Sequence, residues 1–191
     1  AFNFVYEANI RYLHHLGEVT YFSPLADTSL PDAGFVYLPG GYPELYLAAL
    51  SANRQMLQSI RRYVESGGKL LAECGGMMYL CDEIRDKNGD VYPMAGVLHQ
   101  SATMENMKLR LGYRTLLYNE TRLKGHEFHY SRLVEQQNPL PSCAVAYTAK
   151  GVETDTPLYH YKNVWAGYTH LYWADPVGNE WFTKFVIDGN T

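Results

Sequence analysis

Apolar positions along the first half of the chain alternate between two periods. Tyr6, Ile10, Leu13 and Leu16 fall on one helical stripe, and Gly17 stands where a helix C-cap glycine belongs. Two short β-rich runs follow, residues 18–22 (EVTYF), stopped by Pro24, and residues 34–38 (GFVYL). The second run leads at once into Pro39-Gly40-Gly41-Tyr42-Pro43-Glu44, with Pro43 suited to the first turn of a helix. Two helical stretches are predicted from there to Ser66, ended by Gly67-Gly68. Residues 69–72 (KLLA) read as a buried strand, and Cys74-Gly75-Gly76 leads from it into a helix over 77–81. Strands alternating with helices predict a mostly parallel sheet with helices on both faces.

The second half changes character. Asn88-Gly89-Asp90 marks a turn. Four β-like segments, GVLHQ, LGYRTLLY, HEFHYSRL and AVAYT, lie between Gly96 and Thr148 and are expected as antiparallel strands added to the sheet. Residues 164–173 (VWAGYTHLYW) predict a further strand, and residues 176–187 a closing helix. With no repeat, low-complexity stretch or long linker, residues 1–191 read as one α/β domain.

Composition narrows the function without supplying it. The net charge of −4 offers no footprint for nucleic acid, and no apolar run approaches the ~20 residues of a membrane span. The chain begins at Ala1, which suggests a piece of a longer polypeptide. Cys74, Cys81 and Cys143 form neither a disulfide framework nor a zinc pattern, so no metal is expected and the thiols are read as reduced and cytoplasmic. The 17 tyrosines fit either a polar-aromatic binding surface or the amphipathic edge of a core.

Two strand ends carry glycines that let a ligand approach the backbone. At Gly40-Gly41 the plain alternative is a tight turn. At Cys74-Gly75-Gly76 the order strand, Cys, Gly, Gly, helix is the layout of a nucleophile elbow. There a helix N-terminus favours the thiolate, and the Gly75 N–H can face an oxyanion. Cys81 and Cys143 lack such a setting and are read as inert.

A cysteine nucleophile needs a base. His14 and His15 sit on a helix, and His99 and His160 have no local support. His126 and His129 could be read as H-x-x-H, but residues three apart on a strand face opposite ways. His170 ends the strand AGYTHLYW.

Together PGGYPELYLAALSANRQM, GGKLLAECGGMMYL, LGYR, GHEFHYSRL and AGYTHLYW resemble, in that order, the glutamine amidotransferase domain of the cobyrinate a,c-diamide synthase family. The stretch from AFNF onward is similar as well. The resemblance implies a flavodoxin-like class I amidotransferase fold whose first strand would precede Ala1. It also implies the glutaminase part of an ATP-dependent ligase in cobalamin biosynthesis, which amidates the a and c carboxylates of cobyrinate or hydrogenobyrinate. The nickel-sirohydrochlorin a,c-diamide synthases are a near relative, and a cysteine-elbow protein without glutaminase activity is the rival class. No G-x-x-x-x-G-K-[ST] occurs. ATP and Mg are thus expected in a synthetase domain outside this chain, with no cofactor in this one. Glutamine, that synthetase domain and a corrinoid acceptor are the implied partners, with no nucleic acid and no membrane.

Carried onto this chain, the resemblance makes Cys74 the nucleophile and His170 its base, with Gly41 and Gly75 as oxyanion donors. It places Gly40, Tyr42, Phe128, His129, Tyr130 and Ser131 around the substrate. Triad amidotransferases have a glutamate two residues after the histidine. Here that position is Tyr172, whose hydroxyl is a candidate for orienting the imidazole. His170 is expected within reach of Cys74, while His126 and His129 are not both expected there.

Overall fold

The structure, a computed structural model, describes residues 1–188. A short strand β1 (Phe2–Phe4) leads into helix α1 (Glu7–Leu16), whose last turn closes with the Gly17 N–H donating to the Leu13 carbonyl. Then come β2 (Phe35–Leu38), β3 (Gly40–Gly41) and a single 3₁₀ turn at Pro43–Leu45 with Pro43 in its first turn. Helices α2 (Leu47–Ala52) and α3 (Arg54–Glu65) meet at Asn53, whose side chain accepts from the Met56 N–H and caps α3. Strand β4 (Lys69–Glu73) runs directly into α4 (Gly75–Leu80).

The remainder is mainly strand. It comprises β5 (Glu83–Arg85), β6 (Val91–Pro93), β7 (Ser101–Thr103), β8 (Arg110–Tyr118), β9 (Thr121–His129), β10 (Arg132–Leu133), β11 (Val145–Thr148), β12 (Glu153–Thr154), β13 (Leu158–Tyr161), β14 (Val164–Gly167) and β15 (His170–Leu171). Helix α5 (Pro176–Thr183), capped by the Asp175 carboxylate on the Gly178 N–H, passes into a π turn at Lys184–Asp188.

The central sheet has the order β13-β14-β4-β2. Its β14-β4 and β4-β2 pairings are parallel, and β13 adds an antiparallel edge. Period-two alternation splits its residues between two cores. Val36, Leu38, Leu70, Ala72, Val164 and Ala166 face α2, α3 and α4. Phe35, Tyr37, Leu71 and Trp165 face α1 and α5, where Trp173, Trp181, Phe182 and Phe185 complete the packing. The expected helices on both faces follow from this division. A five-stranded sheet β12-β11-β8-β9-β15 and a four-stranded sheet β10-β7-β5-β6 carry the added strands, all pairings antiparallel except β5-β7.

Three expected strands take another form. Residues 18–22 (EVTYF) pair with nothing, because β-propensity yields a strand only where a ladder partner lies alongside. They face β2 across an open cleft of about 1090 Å³ lined also by Phe35, Val36, Tyr37 and Leu38. On that side β2 has no neighbouring strand among the described residues. Residues 96–100 (GVLHQ) form an irregular bend that bonds back to α4 and its C-terminal end, Gly96 N–H to the Cys81 carbonyl and Val97 N–H to the Leu80 carbonyl. Residues 164–173 are two strands, since the chain leaves the central sheet after Gly167 and joins β9 at His170.

Candidate active site

The Cys74 amide donates to the Gly167 carbonyl, ending the β4–β14 ladder, and its carbonyl accepts from Met78 to open α4. Between these two bonds the chain must reverse, and Cys74 sits at φ 49°, ψ −109°. A non-glycine residue there is strained, by about 1–3 kcal/mol. The two glycines permit the turn: a Cβ on Gly76 would lie 2.1 Å from the Leu38 carbonyl oxygen, and one on Gly75 2.7 Å from Pro43 and 2.9 Å from the Gly41 oxygen. The elbow is thereby pressed against β2 and the β3 segment, and the backbone N–H groups of Gly75 and Gly41 lie near enough to the Cys74 sulfur to favour its charged form.

Cys74 lines a small pocket with Gly41, Tyr42, Glu44, Met78, Met104, Phe128, His129, Tyr130 and Ser131. About 20 Å³ of free space remains, room for one water. The thiol donates to the Phe128 carbonyl at 3.7 Å. Burial pushes it up to about 12, with Glu44 and Glu73 adding to the rise and the Gly75 and Gly41 N–H groups opposing it. The helix end therefore does not hold Cys74 as a thiolate, contrary to the expectation from its position, because desolvation outweighs both amides.

His170 begins β15 and is almost fully buried. Its ring lies against Gly40, where a Cβ would come 2.0 Å from Cε1, and Phe4 covers it with ring centroids 4.5 Å apart. No hydrogen bond joins it to Cys74. Its Nδ1 has no hydrogen-bond partner among the described residues, and the nearest carboxylate oxygen is Oε2 of Glu73 at 4.0 Å. Burial, with His126 and His129 nearby, drives His170 down to about 4.

The other two histidines separate as strand geometry requires. His126 stands opposite His170 in the β9–β15 pairing, with the Tyr113 ring 5.8 Å away. His129 stacks on Tyr168 at 3.8 Å and reaches Cys74's pocket. Both of its ring nitrogens face acceptors, Nδ1 the Ser131 carbonyl at 2.8 Å and Nε2 the Glu127 carboxylate at 3.0 Å. Both nitrogens are thus engaged by groups other than the Cys74 thiol. Glu127 also pairs with Arg114 and accepts from Thr156, and His129, Arg114 and Thr156 hold it below the usual carboxylate range. Ser131 donates to Tyr168 and Met78, Tyr42 and Tyr130 stand exposed at the mouth, and the Tyr42 N–H donates to the Ala1 carbonyl. The Tyr172 hydroxyl does not meet His170. Its ring packs edge-on against Tyr6 at 5.5 Å, because β15 ends at Leu171 and alternation stops there.

The model of the CobB/CobQ-like glutamine amidotransferase domain matches residues 1–177. The chain belongs to that family. Within it, the chain is 39% identical over 178 residues to hydrogenobyrinate a,c-diamide synthase of Pseudomonas aeruginosa, covering 90% of this chain and 39% of the relative. It is 39% identical over 181 residues to cobyrinate a,c-diamide synthase of Fusobacterium nucleatum, with the same coverage, 90% and 39%. It thus spans about two fifths of the length of the curated relatives it matches. Among solved structures, one described as a glutamine amidotransferase superposes with a TM-score of 0.59 at 16% identity, covering 94% of this chain and 92% of that one. The structure of PurLQS from Thermotoga maritima gives 0.56 at 16%, covering 95% and 89%. These two likenesses bear on the fold alone.

The fold of this amidotransferase domain also brings to the candidate site residues that the sequence patterns did not single out. Glu44, Met78 and Met104 line the pocket with Cys74. Glu44 could have been suspected from its place in the glycine-rich GGYPE loop. Asn9, fully buried on α1, donates to the Leu171 carbonyl at 2.7 Å and accepts from the Trp173 N–H at 3.0 Å, fixing the segment after His170. Nothing local in the sequence marks Asn9, since its partners lie more than 160 positions away. Among the described residues no cluster of His, Cys, Asp and Glu could hold a metal, and no helix is long and apolar enough to cross a membrane.

Proposed function

We propose that this domain hydrolyses glutamine and passes the ammonia to an ATP-dependent ligase that amidates the a and c carboxylates of cobyrinate or hydrogenobyrinate in cobalamin biosynthesis. The carrying observation is the elbow, a strained Cys74 pressed against the Gly41 segment with the Gly41 and Gly75 backbone amides beside its sulfur. Two backbone donors near a nucleophile suit an oxyanion formed beside it. Names of relatives over 90% of the chain support the corrinoid acceptor. ATP and Mg belong to the ligase step, which we assign to a synthetase domain elsewhere in the polypeptide. Free cysteines agree with the cytoplasm.

In this reading glutamine enters by displacing Tyr42 and Tyr130 at the pocket mouth. Its γ-carboxamide carbonyl turns onto the Gly41 and Gly75 amides. The Cys74 proton passes to His170 as sulfur attacks the carbonyl carbon. His170 returns that proton to the leaving nitrogen, releasing ammonia, and water then cleaves the glutamyl thioester to glutamate. The test is glutamate release from glutamine with no other substrate. Cys74→Ser should lose activity by about 10³-fold or more while keeping its thermal unfolding. Activity that survives in Cys74→Ser, or that follows Cys81 instead, overturns the assignment.

A further inference from the structure

A general base must present one ring nitrogen to its acid, and something must hold the proton on the other. Tyr172 points elsewhere, and His126 and His129 are like-charged neighbours once they carry a proton, which opposes an imidazolium at His170. Yet the unpartnered Nδ1 of His170 lies 4.0 Å from a carboxylate that is itself 1% exposed. That carboxylate, Glu73, immediately precedes the nucleophile on β4.

Glu73 is tied to the segment it would serve. Oε1 accepts from the Leu171 N–H at 3.0 Å, the amide directly after His170, and Oε2 accepts from the Tyr37 hydroxyl at 2.6 Å on β2. One side chain thus joins β2, β4 and β15 at the point where Cys74 and His170 leave their strands. Both oxygens are used as acceptors, which is what an Nδ1–H requires. Asn9 braces the same segment separately, through the Leu171 carbonyl and the Trp173 amide, so the strand does not depend on Glu73 alone.

We propose that Glu73 is the positioning residue for His170 in glutamine hydrolysis. A shift of its carboxylate of about 1 Å closes the 4.0 Å gap to hydrogen-bond length. The Nδ1 proton then stays on Nδ1 throughout, and Nε2 takes the Cys74 proton as the sulfur lone pair goes to the γ-carbon. Glu73 gains no proton in the step. It stabilises the imidazolium and fixes the tautomer. Burial pushes Glu73 up to about 8, so the pair gains strength only as the carboxylate ionises. This inference rests on the glutaminase reading for its chemistry, but the tautomer it assigns is a property of the unliganded protein.

The experiment uses the 191-residue chain, with ¹⁵N NMR of the His170 ring (assigned by comparison with His170→Asn) and glutaminase kinetics. Glu73→Gln should lower kcat roughly 10²-fold with KM within about twofold, and should mix the two neutral tautomers of His170. Glu73→Asp should recover part of both. Tyr37→Phe, read by NMR only, frees Oε2 and should raise the Nδ1–H population. An intact Glu73→Gln protein with wild-type kcat and an unchanged His170 spectrum overturns the proposal. If Glu73→Gln does not fold, a Tyr37→Phe spectrum identical to wild type overturns it. If Cys74→Ala hydrolyses glutamine as fast as wild type, the glutaminase reading is what fails, and the tautomer spectra still decide Glu73.

Discussion

At the residue scale, burial keeps Cys74, the proposed nucleophile, in its neutral form. Its thiol, pushed up to about 12 by burial, carries almost no thiolate at neutral pH. Alkylation by iodoacetamide without glutamine should therefore be slow and rise about tenfold per pH unit from 7 to 10, with no plateau in that range. A plateau below pH 9 in a mass-spectrometric time course would show that the amides of Gly41 and Gly75 prevail over desolvation. Glu44 makes a second prediction. It is the one carboxylate among the described residues that line the pocket, and burial holds it above the ordinary carboxylate range. Facing the α-ammonium of glutamine, it would gain a partner. Glu44→Gln should raise KM for glutamine about tenfold, as the loss of a charge-assisted hydrogen bond does, with kcat little changed. Steady-state kinetics separates the two constants.

At the element scale, the geometry of the proposed site depends on how closely α4 is held to β2. The Leu38 carbonyl leaves no room for a side chain at position 76. Gly76→Ala must push the elbow off β2, and we expect a loss of about 1–3 kcal/mol in urea unfolding together with loss of glutaminase activity. Gly75→Ala meets a proline ring and another backbone oxygen and should behave alike. This junction was legible in the sequence because its determinants are contiguous: an apolar run, a cysteine and two glycines. The helices of the first half were legible for the same reason, with Pro43 and Gly67-Gly68 marking the bounds of the stretch, while the Asn53 cap that divides it shows only in the fold. Residues 18–22 misled because their pattern encodes a preference for extended backbone and says nothing of a neighbour. Residues 164–173 misled because a change of sheet at Tyr168 and Thr169 leaves no trace in period-two alternation. Glu73 and Asn9 stayed hidden because each is defined by partners far along the chain, which only the fold brings near.

For the whole molecule, the central sheet ends at β2 with one edge facing the cleft of about 1090 Å³. Amides in residues 18–25 and 35–38 should exchange with deuterium well before those of β4, which is flanked by strands on both sides. Hydrogen-exchange mass spectrometry would read this directly. Equal protection of β2 and β4 would show that the edge is covered in solution. The cleft has a calorimetric consequence as well. Ile10, Leu13, Leu16, Phe22 and Phe35 line it and so meet water while the protein is still folded. Unfolding exposes that apolar surface for a second time only in name, so it adds little to the heat-capacity increment. The 191-residue chain should then unfold with a ΔCp below the usual ~12–15 cal/mol/K per residue, and its stability should fall off less steeply on cooling than that of a domain with a closed sheet.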